Sequence, residues 1–152
     1  MARNYKQGIY EPNWDKYIGT KPPRYLSSWE KIVFEFLDRN PNVKKWGSEV
    51  VVVPYMSAVK SQDPSKKKKS RYMVDLYVEY EDREGNKHIE IIEVKPYSQL
   101  CKPTRGKKKE SSFIAESFTY MNNIEKWTAA QAYANERGWV FRILTERSIF
   151  KG

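Results

Sequence analysis

Three side chains near the middle of the chain have the types and spacing that hydrolytic chemistry needs: Asp75, and eighteen residues further on Glu93 with Lys95. Side chains two apart on a β-strand point to the same face, so Glu93 and Lys95 project together. A hairpin pairing of their strand with the strand of Asp75 brings the second carboxylate beside them. Two carboxylates and an ammonium converging on one spot can hold a divalent cation and polarise a water. The pattern is short, and with 31% charged residues in the chain it can arise by chance. The alternative is a hairpin edge carrying ordinary surface charge. What decides between them is the character of the elements around the three residues.

Tyr72 to Tyr80 alternates as a strand, with Val74, Leu76 and Val78 on one face and Asp75, Tyr77 and Glu79 on the other. Glu84-Gly85-Asn86 supplies a turn. Ile89 to Lys95 is nearly continuous in Ile and Val, as a buried central strand should be, and Pro96 ends it. Upstream, Ser27 to Asn40 reads as a helix. Trp29, Ile32, Val33, Phe36 and Leu37 form its apolar stripe, and Asn40-Pro41 stops it. Glu30 has two readings. In Ser27-Ser28-Trp29-Glu30 it closes a capping box, or it borders the buried stripe and reaches the acidic site. Glu49 to Pro54 is a buried strand built on Val50 to Val53, followed by a loop over 55–70. Ser111 to Tyr120 reads as a short helix or an ordered loop. Asn122 or Asn123 then caps a helix to Arg137, with Ile124, Trp127, Ala130 and Ala134 inward and Gly138 at its end. Trp139 to Thr145 is the last strand. Residues 1–26 show neither period, and their Tyr5, Tyr10, Trp14, Tyr17 and Tyr25 are interleaved with Pro12, Pro22 and Pro23. They read as an extended arm held on a single domain, 27–152, by aromatic contacts.

The net charge of +9 is localised. Lys60 to Arg71 carries net +5, as does Lys102 to Lys109, leaving −1 for everything else. Lys66, Lys67, Lys68, Lys69 and Arg71 lie before one strand of the hairpin; Lys102, Arg105, Lys107, Lys108 and Lys109 follow the other. Either run alone is an ordinary solvated segment. Two of them flanking an acidic site suit a groove that grips nucleic-acid phosphates on both sides of a metal. No apolar run reaches membrane length and the N-terminus lacks an apolar leader, so no membrane partner and an intracellular protein are expected. The lone Cys101 and lone His88 speak against disulfides, thiolate zinc sites and histidine-dependent metal sites.

The predicted order is helix, three strands, helix, strand, and Asp75, Glu93 and Lys95 stand where a D…(D/E)-x-K motif would place them. In both respects the chain resembles the PD-(D/E)XK nucleases. Their fold is α/β, with a restriction-endonuclease-like αβββαβ core and a mixed central sheet flanked by helices. Gly8-Ile9-Tyr10 and Tyr17-Ile18-Gly19 also spell the GIY-YIG signature, but the six-residue gap and Pro12 disfavour that family. Asn40-Pro41-Asn42-Val43, Trp46-Gly47-Ser48-Glu49, Pro54-Tyr55 and Lys126-Trp127-Thr128-Ala129-Ala130 look like the TnsA-type endonucleases of Tn7 and the head-completion nucleases of T4-like bacteriophages. The arm, Gly8 to Gly19, is similar to the phage proteins in particular.

The resemblance implies a Mg²⁺-dependent endonuclease in which Mn²⁺ can substitute. Glu30, Asp75, Glu93 and the Val94 carbonyl would be metal ligands, and Lys95 the residue that orients the water. It further implies double-stranded DNA as substrate, capsid, portal or neck proteins as partners, and action in the host cytoplasm during assembly or on the virion. The rival expectation is a structural head or neck protein that binds DNA without cutting it. A TnsA-like transposase subunit is a third, and would carry a further C-terminal domain.

Overall fold

A computed structural model describes residues 7–149. Ten short and long elements follow one another. They are β1 (Gly8–Ile9), β2 (Arg24–Tyr25), α1 (Ser28–Arg39), β3 (Val43–Ser57), β4 (Lys68–Glu81), β5 (Lys87–Val94), a 3₁₀ turn (Tyr97–Leu100), α2 (Glu110–Arg137), β6 (Val140–Leu144) and α3 (Glu146–Ile149). The central sheet runs β3-β4-β5-β6. Its first three strands are antiparallel, and β6 lies parallel to β5. Parallel neighbours need a crossover, and α2 supplies it. The core is therefore the mixed αβββαβ arrangement, with α1 on one face of the sheet and α2 on the other.

α1 starts where Ser27 Oγ accepts the Glu30 amide at 3.3 Å. It buries Val33, Phe34 and Leu37, whereas Ile32 and Phe36 are exposed. The apolar stripe is thus rotated from the expected one toward Phe34, because the arm supplies the packing on that side. Phe34 meets Tyr10 at 5.9 Å and Trp46 at 5.3 Å between ring centroids, and Tyr17 stands edge-on to Trp46 at 4.8 Å. Rotation toward Phe34 also puts Glu30 on the inward side, since residues four apart share a helix face.

The arm is clamped to the end of α1. Lys16 Nζ donates to the carbonyls of Leu37, Asp38 and Asn40, and Asp38 accepts from Tyr10 Oη and Trp46 Nε1. Gly8–Ile9 pairs with Arg24–Tyr25 and not with Tyr17-Ile18-Gly19, so the two halves of the GIY-YIG lettering are not partners. Tyr17 bridges Trp46 instead.

The hairpin and the long helix also differ from expectation. The hairpin β3–β4 is longer than its valines suggested: its ladder continues to Ser57↔Lys68, so Lys68, Lys69 and Arg71 lie in a strand, and the loop shrinks to 58–67. α2 is one continuous 28-residue helix with no break near Asn122. Asparagine favours caps because its side chain competes for backbone groups. Here the Asn122 amide is occupied elsewhere, donating to Tyr55 Oη at 3.1 Å and to Glu125. The inner face of α2 is Asn122, Asn123, Trp127, Ala130 and Ala134, with Ile124 exposed. The helix ends on Gly138, whose φ of 71° and bond from Trp139 N to Ala134 O form a left-handed cap.

Candidate active site

The β4–β5 ladder pairs Glu81 with Lys87 down to Leu76 with Ile92 and stops there. Glu93 and Val94 continue only with β6, opposite Ile143 and Leu144. Successive amides of a strand point to opposite sides. Lys95 N reaches Leu144 O at 2.9 Å, so Val94 N faces the gap left by β4. Asp75 fills that gap, its Oδ2 accepting from Val94 N at 2.8 Å. The carboxylate of one strand thereby replaces a missing ladder bond of the other, and this sets Asp75 beside Glu93.

Glu93 is 5% exposed and held from two sides. Tyr72 Oη donates to its Oε2 at 2.5 Å, and Lys95 Nζ lies 3.4 Å from its Oε1. Two carboxylates side by side in a partly desolvated place disfavour double ionisation. Burial first, and the Glu93 charge second, push the Asp75 carboxyl up to about 8 from an ordinary 3.8, although the Val94 amide pulls the other way. Burial, and then the same Glu93 charge, also raise the Tyr72 hydroxyl, which therefore stays a hydrogen-bond donor.

Asp75 sits at a changeover in β4. Tyr72 and Val74 pack with the α2 side of the core, whereas Leu76 and Val78 pack with the α1 side. The neighbouring strand is irregular at the same level. Leu76 pairs with Ser48 and Val74 with Val51, so Glu49 and Val50 together face Asp75. Such bulges bend a strand and re-aim a side chain. Glu49 takes φ 56°, a left-handed conformation that costs a non-glycine residue roughly 1–2 kcal/mol. Gly47 permits the bend, since a Cβ there would stand 2.8 Å from a Val50 methyl.

A cleft of about 60 Å³ opens at this point, and Glu30, Glu49, Asp75, Val94 and Arg24 are among its lining residues. Glu30 combines features of its two readings. Its backbone makes the cap with Ser27, and its Oε2 accepts from Leu26 N at 3.0 Å, while its carboxyl faces the acidic cleft. Burial raises its pKa despite that amide bond, and the charges of Glu49 and Glu93 add to the rise.

The basic residues are exposed. Lys66 and Lys67 lie in the loop, Lys68, Lys69 and Arg71 on β4, and Lys102, Arg105, Lys107, Lys108 and Lys109 between the 3₁₀ turn and α2. Lys108 is paired with Glu116 at 2.6 Å. The first loop is anchored at its base, where Glu125 accepts from Ser57 Oγ at 2.6 Å and Ala58 N at 2.7 Å. Tyr72, Glu49, Arg24 and Lys126 carry no site motif in the sequence; the Lys126 ammonium lies 5.7 Å from the centre of the Tyr72 ring. Only the alternation that places Tyr72 in the Asp75 strand hinted at any of them.

Among the described residues no three carboxylate, imidazole or thiol side chains converge as a ready-made cation cage. The donors that do meet are Asp75 and Glu93, with the backbone of Val94 adjacent. That set suits Mg²⁺, which keeps several waters and is held by one or two carboxylates plus substrate phosphate. A divalent cation held there would offset the Glu93 charge that, after burial, raises Asp75. Among the described residues no helix is long and apolar enough to cross a membrane.

The chain is 39% identical to the protein named head completion nuclease of Enterobacteria phage T4, over 92% of this chain and 93% of that one. The family description that matches is the N-terminal TnsA-like endonuclease domain, over residues 40–146, a span that holds β3, β4, β5, α2 and β6 and with them Asp75, Glu93 and Lys95. The family match spans well over half of the chain, and the chain belongs to the TnsA-like endonuclease family.

Proposed function

We propose that the chain is a Mg²⁺-dependent DNA endonuclease whose active site is built on Asp75, Glu93 and Lys95. The observation that carries this is the parting of β4 from β5, which sets two carboxylates side by side with an ammonium 3.4 Å from one of them. A DNA-binding protein has no use for paired acids facing phosphate, which they repel unless a cation intervenes. Asp75 and Glu93 hold the cation, with the Val94 carbonyl as a further ligand and Glu30 either a ligand or the acceptor for a water. Mn²⁺ is expected to substitute. When bound, the cation supplies Lewis acidity toward a phosphodiester oxygen and lowers the pKa of a water.

Lys95, its ammonium 3.4 Å from Glu93, would orient that water, take its proton, or stabilise the charge that develops at phosphorus. Tyr72 fixes the Glu93 carboxylate, as outer partners of metal ligands commonly do. The exposed lysines and arginines of 66–71 and 102–109 grip double-stranded DNA through its phosphates, giving affinity without base specificity. The similarity to a phage head completion nuclease supports a place in finishing the phage head. The chain would cut or trim packaged DNA before tail joining, in the infected cytoplasm or on the virion, in contact with capsid, portal or neck proteins.

The test is nicking of supercoiled plasmid by the purified protein with Mg²⁺ and with EDTA. Nicking that needs Mg²⁺ and disappears in Asp75→Asn supports the reading. Tight plasmid binding without any cutting in Mg²⁺ or Mn²⁺ would leave a structural DNA-binding protein in its place.

A further inference from the structure

The acidic cleft has a cation on its rim that neither the motif nor the basic runs supply. Arg24 lines the cleft together with Glu30, Glu49 and Asp75, and it comes from the arm. Its backbone is placed firmly. Arg24 pairs with Ile9, and Tyr10 N donates to the carbonyl of the preceding Pro23 at 2.9 Å. The Tyr25 ring lies over Gly8, where a Cβ would stand 2.4 Å from Tyr25 Oη. The arm that carries them is tied to α1 by Lys16 and by Asp38. Four residues after Arg24 the helix bearing Glu30 begins.

The guanidinium itself is lightly used. Its Nη2 donates to Gln7 Oε1 at 3.1 Å, and among the described residues Arg24 forms no ion pair with the carboxylates whose cleft it shares. A guanidinium has five N–H donors in a fixed fork that matches a phosphate edge. Gln7 takes one donor and steadies the plane, leaving the rest for a ligand. A phosphodiester approaching Asp75 and Glu93 meets like charge, which a cation at the mouth of the cleft offsets at short range. The lysine runs grip the backbone at large; Arg24 is exposed as they are, but it lines the cleft together with Asp75.

We propose that Arg24 is a further active-site residue, a guanidinium delivered by the N-terminal arm that holds a non-bridging oxygen of the phosphate beside the carboxylates. This rests on the endonuclease reading above. It also gives the arm a part in the chemistry as well as in packing. The opposing possibility is that Arg24 only softens the field of the acids, and the two make different demands. A phosphate clamp acts when DNA is present, whereas a screening charge acts on the cation site alone.

The experiment compares the full chain with Arg24→Gln and Arg24→Lys in two assays. One is steady-state plasmid nicking in Mg²⁺. The other is Mn²⁺ affinity measured calorimetrically without DNA. In Arg24→Gln nicking should fall by about 10²–10³-fold, as for losing an oriented charge-stabilising donor, with Mn²⁺ affinity little changed. Arg24→Lys, which keeps the charge and loses the fork, should fold normally and recover only part of the rate. Undiminished nicking in Arg24→Gln overturns the proposal, as does a rise in Mn²⁺ affinity with nicking unchanged, the signature of screening. If Arg24→Gln does not fold, full activity in Arg24→Lys overturns the fork and phosphate geometry proposed here. A parent protein that never cuts in Mg²⁺ or Mn²⁺ removes the endonuclease reading itself, whereas a parent that cuts beside an unaffected Arg24→Gln removes only the role of Arg24.

Discussion

Replacing Asp75 by asparagine separates charge from shape at the site. The amide oxygen can still accept from Val94 N, as Asp75 Oδ2 does at 2.8 Å, so the link between β4 and β5 survives. What disappears is a carboxylate pushed up to about 8 by burial and by Glu93. A group whose pKa is raised on folding contributes stability that is fully present below its unfolded value and is lost as pH rises through its folded value. For Asp75 that window runs from an ordinary 3.8 to about 8. At about 1.4 kcal/mol for each tenfold, the ceiling is roughly 6 kcal/mol. Asp75 is partly exposed, and an effective dielectric constant near 20 describes such sites better, so about 1–3 kcal/mol is expected in practice.

Without divalent cations, Asp75→Asn should therefore match the parent near pH 3.5, below the ordinary 3.8, and exceed it near pH 8.5. The excess in melting temperature should be about 3–10 °C for a domain of this size. Mg²⁺ or Mn²⁺ at pH 8.5 should raise the melting temperature of the parent and do much less for the variant. Thermal melts across this pH range, with and without EDTA, make the measurement. Parallel pH profiles for the two proteins would refute the raised Asp75 carboxyl, to which burial first and the Glu93 charge second contribute.

Three further outcomes are expected. Lys95→Ala should keep cation and DNA binding and slow the chemical step by roughly 10²–10⁴-fold in single-turnover cleavage. Substantial activity in Lys95→Arg would leave Lys95 as a charge and remove it as a base, since a guanidinium stays protonated. Tyr72→Phe removes the donor to Glu93 Oε2 and should weaken Mn²⁺ binding by about 10–100-fold with the fold intact by circular dichroism; unchanged affinity would leave Tyr72 a packing residue. Neutralising Lys66, Lys67, Lys68 and Lys69 to glutamine should weaken binding to all duplexes alike and flatten the slope of log affinity against log salt by up to about 0.9 per lost phosphate contact. An unchanged slope would show those lysines to be solvated only.

How much of this is legible from residues alone follows from how local each determinant is. The placing of Asp75 on one strand and of Glu93 with Lys95 on the next follows from alternation and from a glycine turn, both local. The order of elements was legible for the same reason. The rotation of α1 was not, because what buries Phe34 is an arm whose docking depends on Tyr10, Tyr17 and Asp38 meeting in space. The continuity of α2 was hidden by Asn122 and Asn123, whose capping tendency is overridden by burial and, for Asn122, by Tyr55, 67 residues away in the chain. Glu49 is the clearest case. Nothing about a glutamate before four valines announces a positive φ, which arises because β3 must accommodate an extra residue opposite Asp75. Arg24 and Tyr72 reach the site by the pairing of the arm and by a side chain crossing from β4 to β5, and neither leaves a spacing signature.

On the proposed reading, Asp75 and Glu93 together hold a divalent cation. Crystals of the chain soaked in Mn²⁺ test it most directly, through the anomalous signal of the ion. One strong peak is expected where β4 and β5 part, with oxygens of Asp75 and Glu93 at about 2.0–2.6 Å and water completing the shell. The peak should be lost in Asp75→Asn. A Mn²⁺ ion bound elsewhere, with the Asp75–Glu93 pair empty at saturating concentration, would contradict it.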